Sequence, residues 1–391
     1  MAYDFGYLRD VLVKGWCINV IKYLDNWYHT RTLNGLSWNF ATRLQRQLAQ
    51  DYRGKRLLCV CDFLAVPYSF DILVYLFVAD KFRQERGLEK LDVAFICHES
   101  DPCFYNCSML KPEYKEHARD YGYNLGIEAT RLLPSAGNVL FFDNRNAFAT
   151  FLARSKGDYQ LFPEHFDPAR PGLVPALGKP PQFVFKYLTE KAAAPDSVLD
   201  LKPPRLYVEK ARDWIVSNVK PKIPVTITLR NYFFEAGKNS NLDAWRKVVA
   251  AYSDSEIACI VLPDFAAVYK PDQADIPGAT VFTDPVMSLP LRAALYQEAS
   301  LNLFVNNGPA CLGYLSRDIN YLMFNIAGQE ESAYLKNLER NSGLRPGQDF
   351  FGAGKYQKLV WSPDSYEAIM AALEEMLDTL RRDGKLVPAY Y

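Results

Sequence analysis

The stretch that decides the fold is LNLFVNNGPA, residues 301–310. Its first five residues form a largely apolar run of the kind that is buried on both faces of a parallel sheet. Asn306, Asn307 and Gly308 end this run, and Pro309 suits the first turn of a helix, where its missing N–H costs little. A strand, a glycine turn and a helix in direct succession predict one βα unit of an α/β domain.

The same alternation of strand and helix extends to both sides of this unit. Apolar runs bounded by turn residues alternate with segments that carry apolar residues at helical spacing. Such a rhythm predicts parallel sheets with right-handed crossovers. We therefore predict an α/β fold of two Rossmann-like domains that face a cleft. The expected strands cover residues 56–61, 91–97, 138–142, 224–229, 256–262, 279–282, 301–305 and 320–324.

Proline content sets the expected domain boundaries. Nine prolines crowd between residues 160 and 204, which predicts a connection between domains. We assign residues 1–190 to a first Rossmann-like domain that begins with a helical extension over residues 1–53. Residues 191–204 form the linker, 205–365 the second Rossmann-like domain, and 366–391 a helix and tail that pack back towards the first domain.

Composition excludes several classes of function. The 391 residues include 45 Lys and Arg against 45 Asp and Glu, so no basic excess supports nucleic-acid binding. Cys103 and Cys107 lie near His98 and His117, but no second cysteine pair completes a zinc site, and we expect no metal. The first residues lack the cationic flank and apolar core that mark a secretory signal, and no apolar run in the sequence is long enough to span a membrane. We expect a cytoplasmic protein that could lie at the periphery of a membrane.

Charged and polar residues follow the expected strands of the second domain. Arg230 leaves the strand that ends at Leu229, where its planar guanidinium suits a diphosphate. Lys238 adds a second cation. Ser240 is a further donor-binding candidate, and Ser240 or Asn241 caps the next helix. Asp264 ends the neighbouring strand, a position suited to a ribose or base. The alternatives are an Arg230–Glu235 ion pair and a plain helix cap.

The turn after the strand at 301–305 is the strongest of these features. Asn306, Asn307, Gly308 and Pro309 place free backbone N–H groups and the positive end of a helix dipole at the ligand edge. Such a turn binds a phosphate or a ribose. The alternative is an ordinary strand-to-helix turn, which every α/β protein needs.

Taken together, these motifs resemble the donor half of GT-B glycosyltransferases, and most closely the heptosyltransferase-like and bacterial fucosyltransferase-like branches. The resemblance covers residues 205–330, whereas the N-terminal half matches in architecture alone. It implies a nucleotide-diphosphate sugar as co-substrate in the second domain, an acceptor in the first domain, no metal or other cofactor, and a last helix that crosses back.

Three features depart from the pattern of this superfamily. Residues 62–67, DFLAVP, replace the glycine-rich loop expected after the first strand. Asn307 stands where many relatives have serine. The glutamate-rich donor motif of the retaining enzymes is absent, which favours inversion of the anomeric centre.

An inverting enzyme needs a general base on the acceptor side. The candidates all follow expected strands of the first domain, and the alternative for each is a structural role such as a helix cap. The catalytic candidates are Asp62, His98, Glu99 and Asp101, and the acceptor-binding candidates are Asp143 and Arg145.

The sequence therefore predicts a hexosyl- or heptosyl-type glycosyltransferase. Its partners would be a nucleotide-sugar donor and a glycan, glycolipid, lipid-linked saccharide or protein acceptor. Two alternatives stay open, a nucleotide-sugar epimerase of the same fold and a non-catalytic nucleotide- or sugar-binding protein. The sequence does not give the oligomeric state.

Overall fold

A computed structural model gives the architecture over most of the chain. It describes residues 55–63, 70–97, 118–155, 157–164, 166, 201–231, 236–264, 276–326, 336, 339 and 343–389. The expected helical extension at residues 1–53 and most of the proline-rich segment lie outside these ranges.

The first sheet has four parallel strands in the order β3-β2-β1-β4. Its strands β1 and β2 are apolar on both faces, because helices cover both sides of a parallel sheet. Strand β4 was not expected, since its four residues stand at the start of the proline-rich segment, yet it pairs with β1. The strands are β1 (Arg56–Asp62), β2 (Lys90–Ile96), β3 (Ala136–Phe142) and β4 (Tyr159–Phe162).

Helices lie on both faces of this sheet. Alternate residues of β1 point to opposite sides. Cys59 packs with α1 and α2, whereas Val60 packs with Phe148 of α3. The helices are α1 (Asp71–Glu85), α2 (Ala118–Thr130) and α3 (Arg145–Arg154).

The second sheet has six parallel strands in the order β10-β9-β8-β5-β6-β7. Counted from its own first strand, this is the doubly wound order 3-2-1-4-5-6 of dinucleotide-binding domains, and the first sheet has the 3-2-1-4 part of it. The expectation of two parallel α/β sheets is confirmed. The strands are β5 (Ile223–Thr228), β6 (Ile257–Leu262), β7 (Thr280–Val281), β8 (Leu301–Val305), β9 (Tyr321–Phe324) and β10 (Gln357–Leu359).

The helices of the second sheet also divide between its two faces. Two of them, α4 and α7, contribute to the buried cluster that includes α1 and α2 of the first sheet. Helices α5 and α9 cover the other face. The helices are α4 (Arg205–Asn218), α5 (Leu242–Ala251), α6 (Asp284–Met287), α7 (Leu289–Glu298), α8 (Cys311–Tyr314) and α9 (Tyr366–Arg382), and none of the described helices is both long and apolar enough to cross a bilayer.

The last helix differs from its expected position. Within the described residues, α9 packs on the second sheet beside α5 rather than on the first sheet. The reason is its apolar stripe, in which Ile369, Leu373 and Leu380 are buried against that sheet. The tail continues along the same domain, where the Ala389 N–H donates to the Lys222 carbonyl over 3.1 Å.

The two sheets are joined through their helices. Buried side chains of α1 and α2 form one continuous cluster with those of α4, α7 and α8. Glu128 of α2 reaches across this junction and accepts hydrogen bonds from the Leu289 N–H and the Ser288 hydroxyl at the start of α7. Burial raises the pKa of Glu128, and the Leu289 N–H opposes this rise.

This contact makes stability depend on pH. A carboxyl group whose pKa is raised in the folded state contributes most to stability below its unfolded pKa, near 4.5, and loses that contribution as pH rises through the folded pKa. We expect Glu128→Gln, which keeps an acceptor oxygen without a charge, to match the native protein below pH 4.5 and to equal or exceed its stability at pH 7. Urea unfolding across this pH range measures the difference.

The control is Glu128→Ala, which removes the acceptor. It should lower the free energy of unfolding by about 1 kcal/mol at both ends of the range, as loss of a helix cap does. The outcome that would contradict the desolvation of Glu128 is a stability difference between Glu128→Gln and the native protein that shifts in favour of the native protein from pH 4 to pH 7.

Candidate functional site

The strand order of the second sheet reverses between β5 and β8. These strands are direct neighbours, but the chain leaves β5 towards α5 on one face and leaves β8 towards α8 on the other. In open α/β sheets the crevice at this reversal, beyond the carboxyl ends of the strands, is where ligands bind. The expected donor residues can therefore be judged by whether they lie at this edge.

Arg230 lies two residues beyond the end of β5 and is held in place by Ser240. The Arg230 N–H donates to the Ser240 hydroxyl over 2.8 Å, and the Ser240 N–H donates to the Arg230 carbonyl over 2.9 Å. Ser240 therefore fixes the path of the chain after β5. The cap of α5 is instead Asn241, whose amide oxygen accepts from the Ala244 N–H.

Asp264 connects the ends of β6 and β5. Its carboxylate accepts from the Asn231 N–H over 2.9 Å, directly after Arg230. Lys238 lies in a short 3₁₀ turn, Ala236–Lys238, two residues before Ser240. The side chains of Arg230, Lys238 and Asp264 are all half-buried at this edge.

The turn after β8 lies on the other side of the crevice. The Asn307 side chain accepts from the Ala310 N–H over 3.1 Å, and its amide NH₂ reaches the Thr228 carbonyl at the end of β5, 3.4 Å away. Asn306 donates to the Ile326 carbonyl beyond β9 over 2.7 Å. Gly308 and Pro309 form the first 3₁₀ turn before α8. The structure thus gathers the expected donor residues at one edge of the second sheet.

Phe70 of the first domain packs against this turn. A Cβ atom placed on Gly308 would lie only 2.6 Å from the Phe70 ring, so this position has no room for a side chain. The Cys311 thiol also lies 3.9 Å from the Phe70 carbonyl oxygen. Because Phe70 immediately precedes α1, which follows β1, the carboxyl edges of both sheets meet here.

In the first domain, Asp62 and Arg145 form one unit rather than two separate groups. Asp62 ends β1 and is fully buried, and its carboxylate accepts from Arg145 Nε over 2.6 Å. The guanidinium expected to face an anionic acceptor is thus itself buried and engaged with the candidate base. Asp143 is exposed, and the cap of α3 is its neighbour Asn144.

The other catalytic candidates, His98, Glu99 and Asp101, lie outside the described residues, as do Cys103, Cys107 and His117. The described residues after β2 end at Cys97, and the next described residue is Ala118. Among the described residues, no group of three or more His, Cys, Asp or Glu side chains could hold a metal ion.

Two further groups near this edge were not expected from the sequence. Asp364, two residues before α9, is buried and accepts from the Asn241 N–H and from Trp245 Nε1, both over 2.8 Å. Burial raises the pKa of Asp364, and these donors oppose the rise. Arg292 of α7 is only 3% exposed. The one sequence signal for either was the buried Trp245, whose indole N–H requires an acceptor.

Comparison with known proteins gives distant structural similarity. No protein-family model matches the sequence, and no curated protein is significantly similar to it. Solved structures with a related arrangement include E. coli ADP-heptose LPS heptosyltransferase II, at 7% identity and a TM-score of 0.46 over 83% of this chain and 99% of that chain. Another is a glycosyl transferase family 9 protein from Veillonella parvula, at 13% identity and a TM-score of 0.41 over 82% of this chain and 90% of that one. A third is an E. coli heptosyltransferase with ADP-2-deoxy-2-fluoro heptose, at 13% identity and a TM-score of 0.35 over 82% and 99% of the respective chains.

The contact between Gly308 and Phe70 can be tested by adding one methyl group. Gly308→Ala would place its Cβ against the Cβ and ring atoms of Phe70, and overpacking of this kind costs roughly 1–3 kcal/mol. We expect a loss of this size in the free energy of unfolding, measured in urea. Gly354→Ala is the matched control, because the nearest atom to its Cβ lies 3.9 Å away.

A second substitution separates the contact from a local backbone effect. The double variant Gly308→Ala, Phe70→Ala should recover part of the loss, so that the two changes are not additive. Strict additivity would mean that the two domains do not touch at this point.

Proposed function

We propose that this protein is a glycosyltransferase that moves a sugar from a nucleotide-diphosphate donor to a glycan, glycolipid, lipid-linked saccharide or protein acceptor. The observation that carries the proposal is the convergence of the ends of β5, β6 and β8 at the strand-order reversal of the second sheet. Arg230 and Lys238 bring positive charge to this edge of a chain whose net charge is zero. Local charge of this kind suits a small anionic ligand.

The same groups suit the chemistry of donor activation. When the bond between sugar and diphosphate breaks, negative charge develops on the leaving diphosphate. Preorganised donors and cations that face this charge lower the barrier, because they interact more strongly with the transition state than with the bound donor. Arg230 is suited to this role, since Ser240 and Asp264 hold the backbone on both sides of it. The proposed reaction needs no metal ion.

The acceptor and the general base are assigned to the first domain. Its carboxyl edge meets the donor edge at Phe70, so a group there can reach a donor bound beside Gly308. Asp62 stands at the end of the central strand β1 and is one candidate base, with Arg145 as its partner. The other candidate is the cluster His98, Glu99 and Asp101, which follows β2 in the sequence. Either would support inversion.

A ligand screen followed by a turnover assay tests the proposal. UDP, GDP, ADP, CMP and dTDP are compared by thermal shift, and the matching sugar nucleotides are then incubated with a panel of acceptors. We expect one nucleoside diphosphate to stabilise the protein and the matching donor to transfer its sugar, with activity unchanged by EDTA. Epimerisation of the donor without an acceptor would instead indicate the epimerase. Donor binding without any turnover would indicate a binding protein, and full loss of activity with EDTA would contradict the metal-free mechanism.

Arg230→Ala tests the donor site directly. Hydrogen bonds to a charged group contribute roughly 1.5–3 kcal/mol, so calorimetry should show nucleoside-diphosphate binding weakened by about this amount. The matched control is Arg246→Ala, because Arg246 is exposed on α5 and pairs with Asp243. Unchanged affinity in Arg230→Ala would remove Arg230 from the site.

A further inference from the structure

Arg292 is a buried cation at the junction of the two domains. It lies in the first turns of α7 and is 3% exposed. Its Nε donates to the Pro285 carbonyl over 2.8 Å, and its guanidinium carbon lies 5.9 Å from the centre of the Phe70 ring. The Tyr296 hydroxyl is a further partner. All three partners are uncharged, so none of them carries a compensating negative charge.

No carboxylate among the described residues forms an ion pair with Arg292. The acidic residue at the far end of α7, Glu298, pairs with Arg212 over 2.9 Å. Glu128 is engaged by the Leu289 N–H and the Ser288 hydroxyl. Asp71 and Arg292 both act electrostatically on the Cys311 thiol, and in opposite directions: Asp71 raises its pKa and Arg292 lowers it. A buried charge without a counterion is costly, and proteins keep such a group where a ligand supplies the opposite charge.

The position of Arg292 points to the strand-order reversal. Tyr296 lies one helical turn after Arg292, so the two side chains share a face of α7. The Tyr296 hydroxyl lies 2.7 Å from the hydroxyl of Thr228, the last residue of β5. Burial raises the pKa of Tyr296, and the charge of Arg292 together with hydrogen bonds to Thr228 and Arg292 opposes the rise.

The direction of α7 places Arg292 at the ligand edge. Helix α7 leads into β8, and a crossover helix runs antiparallel to its strands, so its first residues lie beyond their carboxyl ends. Phe70 then lies against both Arg292 and Gly308. Arg292 therefore approaches the crevice from the side of the first domain, opposite to α5 and the Asn241 cap.

We propose that Arg292 binds an anion in this crevice and that the anion is the diphosphate of the nucleotide-sugar donor. Anion binding follows from a buried charge that no carboxylate among the described residues pairs with, whereas its identification as the donor diphosphate rests on the proposed function. Arg230 and Arg292 then hold the diphosphate from two sides. Phe70, which precedes α1, links occupancy of this site to the contact between the domains.

The proposal predicts opposite effects on stability and on binding. Replacing a buried, uncompensated charge by an apolar side chain of similar length leaves a ligand-free protein as stable or makes it more stable. The same change removes a charged contact to the anion, which is worth at least about tenfold in affinity. A purely structural arginine would show the reverse, with lower stability and unchanged affinity.

The test compares Arg292→Met with Arg292→Lys and the control Arg212→Met. Arg212 is a residue of α4 and pairs with Glu298, which lies at the opposite end of α7 from the proposed site. For each full-length protein, the melting temperature is measured without ligand, with inorganic pyrophosphate, and with the nucleoside diphosphate that stabilises the native protein. Affinities for that diphosphate and for the unphosphorylated nucleoside are measured by calorimetry.

We expect Arg292→Met to keep or raise the ligand-free melting temperature, to lose the stabilisation by pyrophosphate, and to bind the diphosphate at least about tenfold more weakly, with nucleoside affinity unchanged. Arg292→Lys keeps the charge without the planar fork, so its affinity for the diphosphate should lie between those of the native protein and of Arg292→Met. If Arg292→Met does not fold, the Arg292→Lys variant tests the proposal. An Arg292→Lys protein that binds pyrophosphate and the nucleoside diphosphate as tightly as the native protein does would overturn it. Unchanged affinity in a folded Arg292→Met overturns it as well. Stabilisation by pyrophosphate but by no nucleoside diphosphate would refute the proposed function and keep the anion site.

Discussion

The reversal of strand order between β5 and β8 is the constraint on which the second domain depends. Two adjacent parallel strands send their chains to opposite faces of the sheet, which leaves a crevice beyond their carboxyl ends. Polar groups in this crevice would be exposed to water or to a ligand. Hydrogen bonds among these groups hold them in place. Ser240 and Asp264 accept hydrogen bonds from the chain after β5, and the Asn307 side chain donates to the Thr228 carbonyl.

The first domain completes this edge instead of forming a separate body. Helices α1 and α2 pack on the same cluster as α7 and α8, and Phe70 and Glu128 contact residues at the amino ends of those helices. A bound molecule beside Gly308 would therefore contact both domains. Under the proposed function, this arrangement would bring a donor on the second sheet and an acceptor on the first sheet together.

The sequence predicted the strands and the edge residues well because both depend on local pattern. Buried parallel strands are apolar on both faces, and the residues directly after them must lie at the carboxyl edge. Two of the described strands were missed, β4 (Tyr159–Phe162) and β10 (Gln357–Leu359). They have four and three residues, so only their pairing with β1 and β9 identifies them. The packing of α9 was misjudged because an amphipathic helix does not show which face it covers. Glu128 and Asp364 escaped notice because their partners are 161 and 123 residues away in the chain.

Arg145 and Arg292 show how the same residue type acquires different roles in a buried setting. Arg145 is neutralised within its own domain by Asp62, and this pair ties the end of β1 to the start of α3. Among the described residues, Arg292 has a carbonyl, a tyrosine hydroxyl and an aromatic ring as neighbours, which hold the guanidinium without neutralising it. Composition cannot separate the two, because a chain with equal numbers of acidic and basic residues can still leave one buried charge uncompensated. Since such a charge is retained at a cost in stability, its position beside the strand-order reversal is itself an argument for an anionic ligand there.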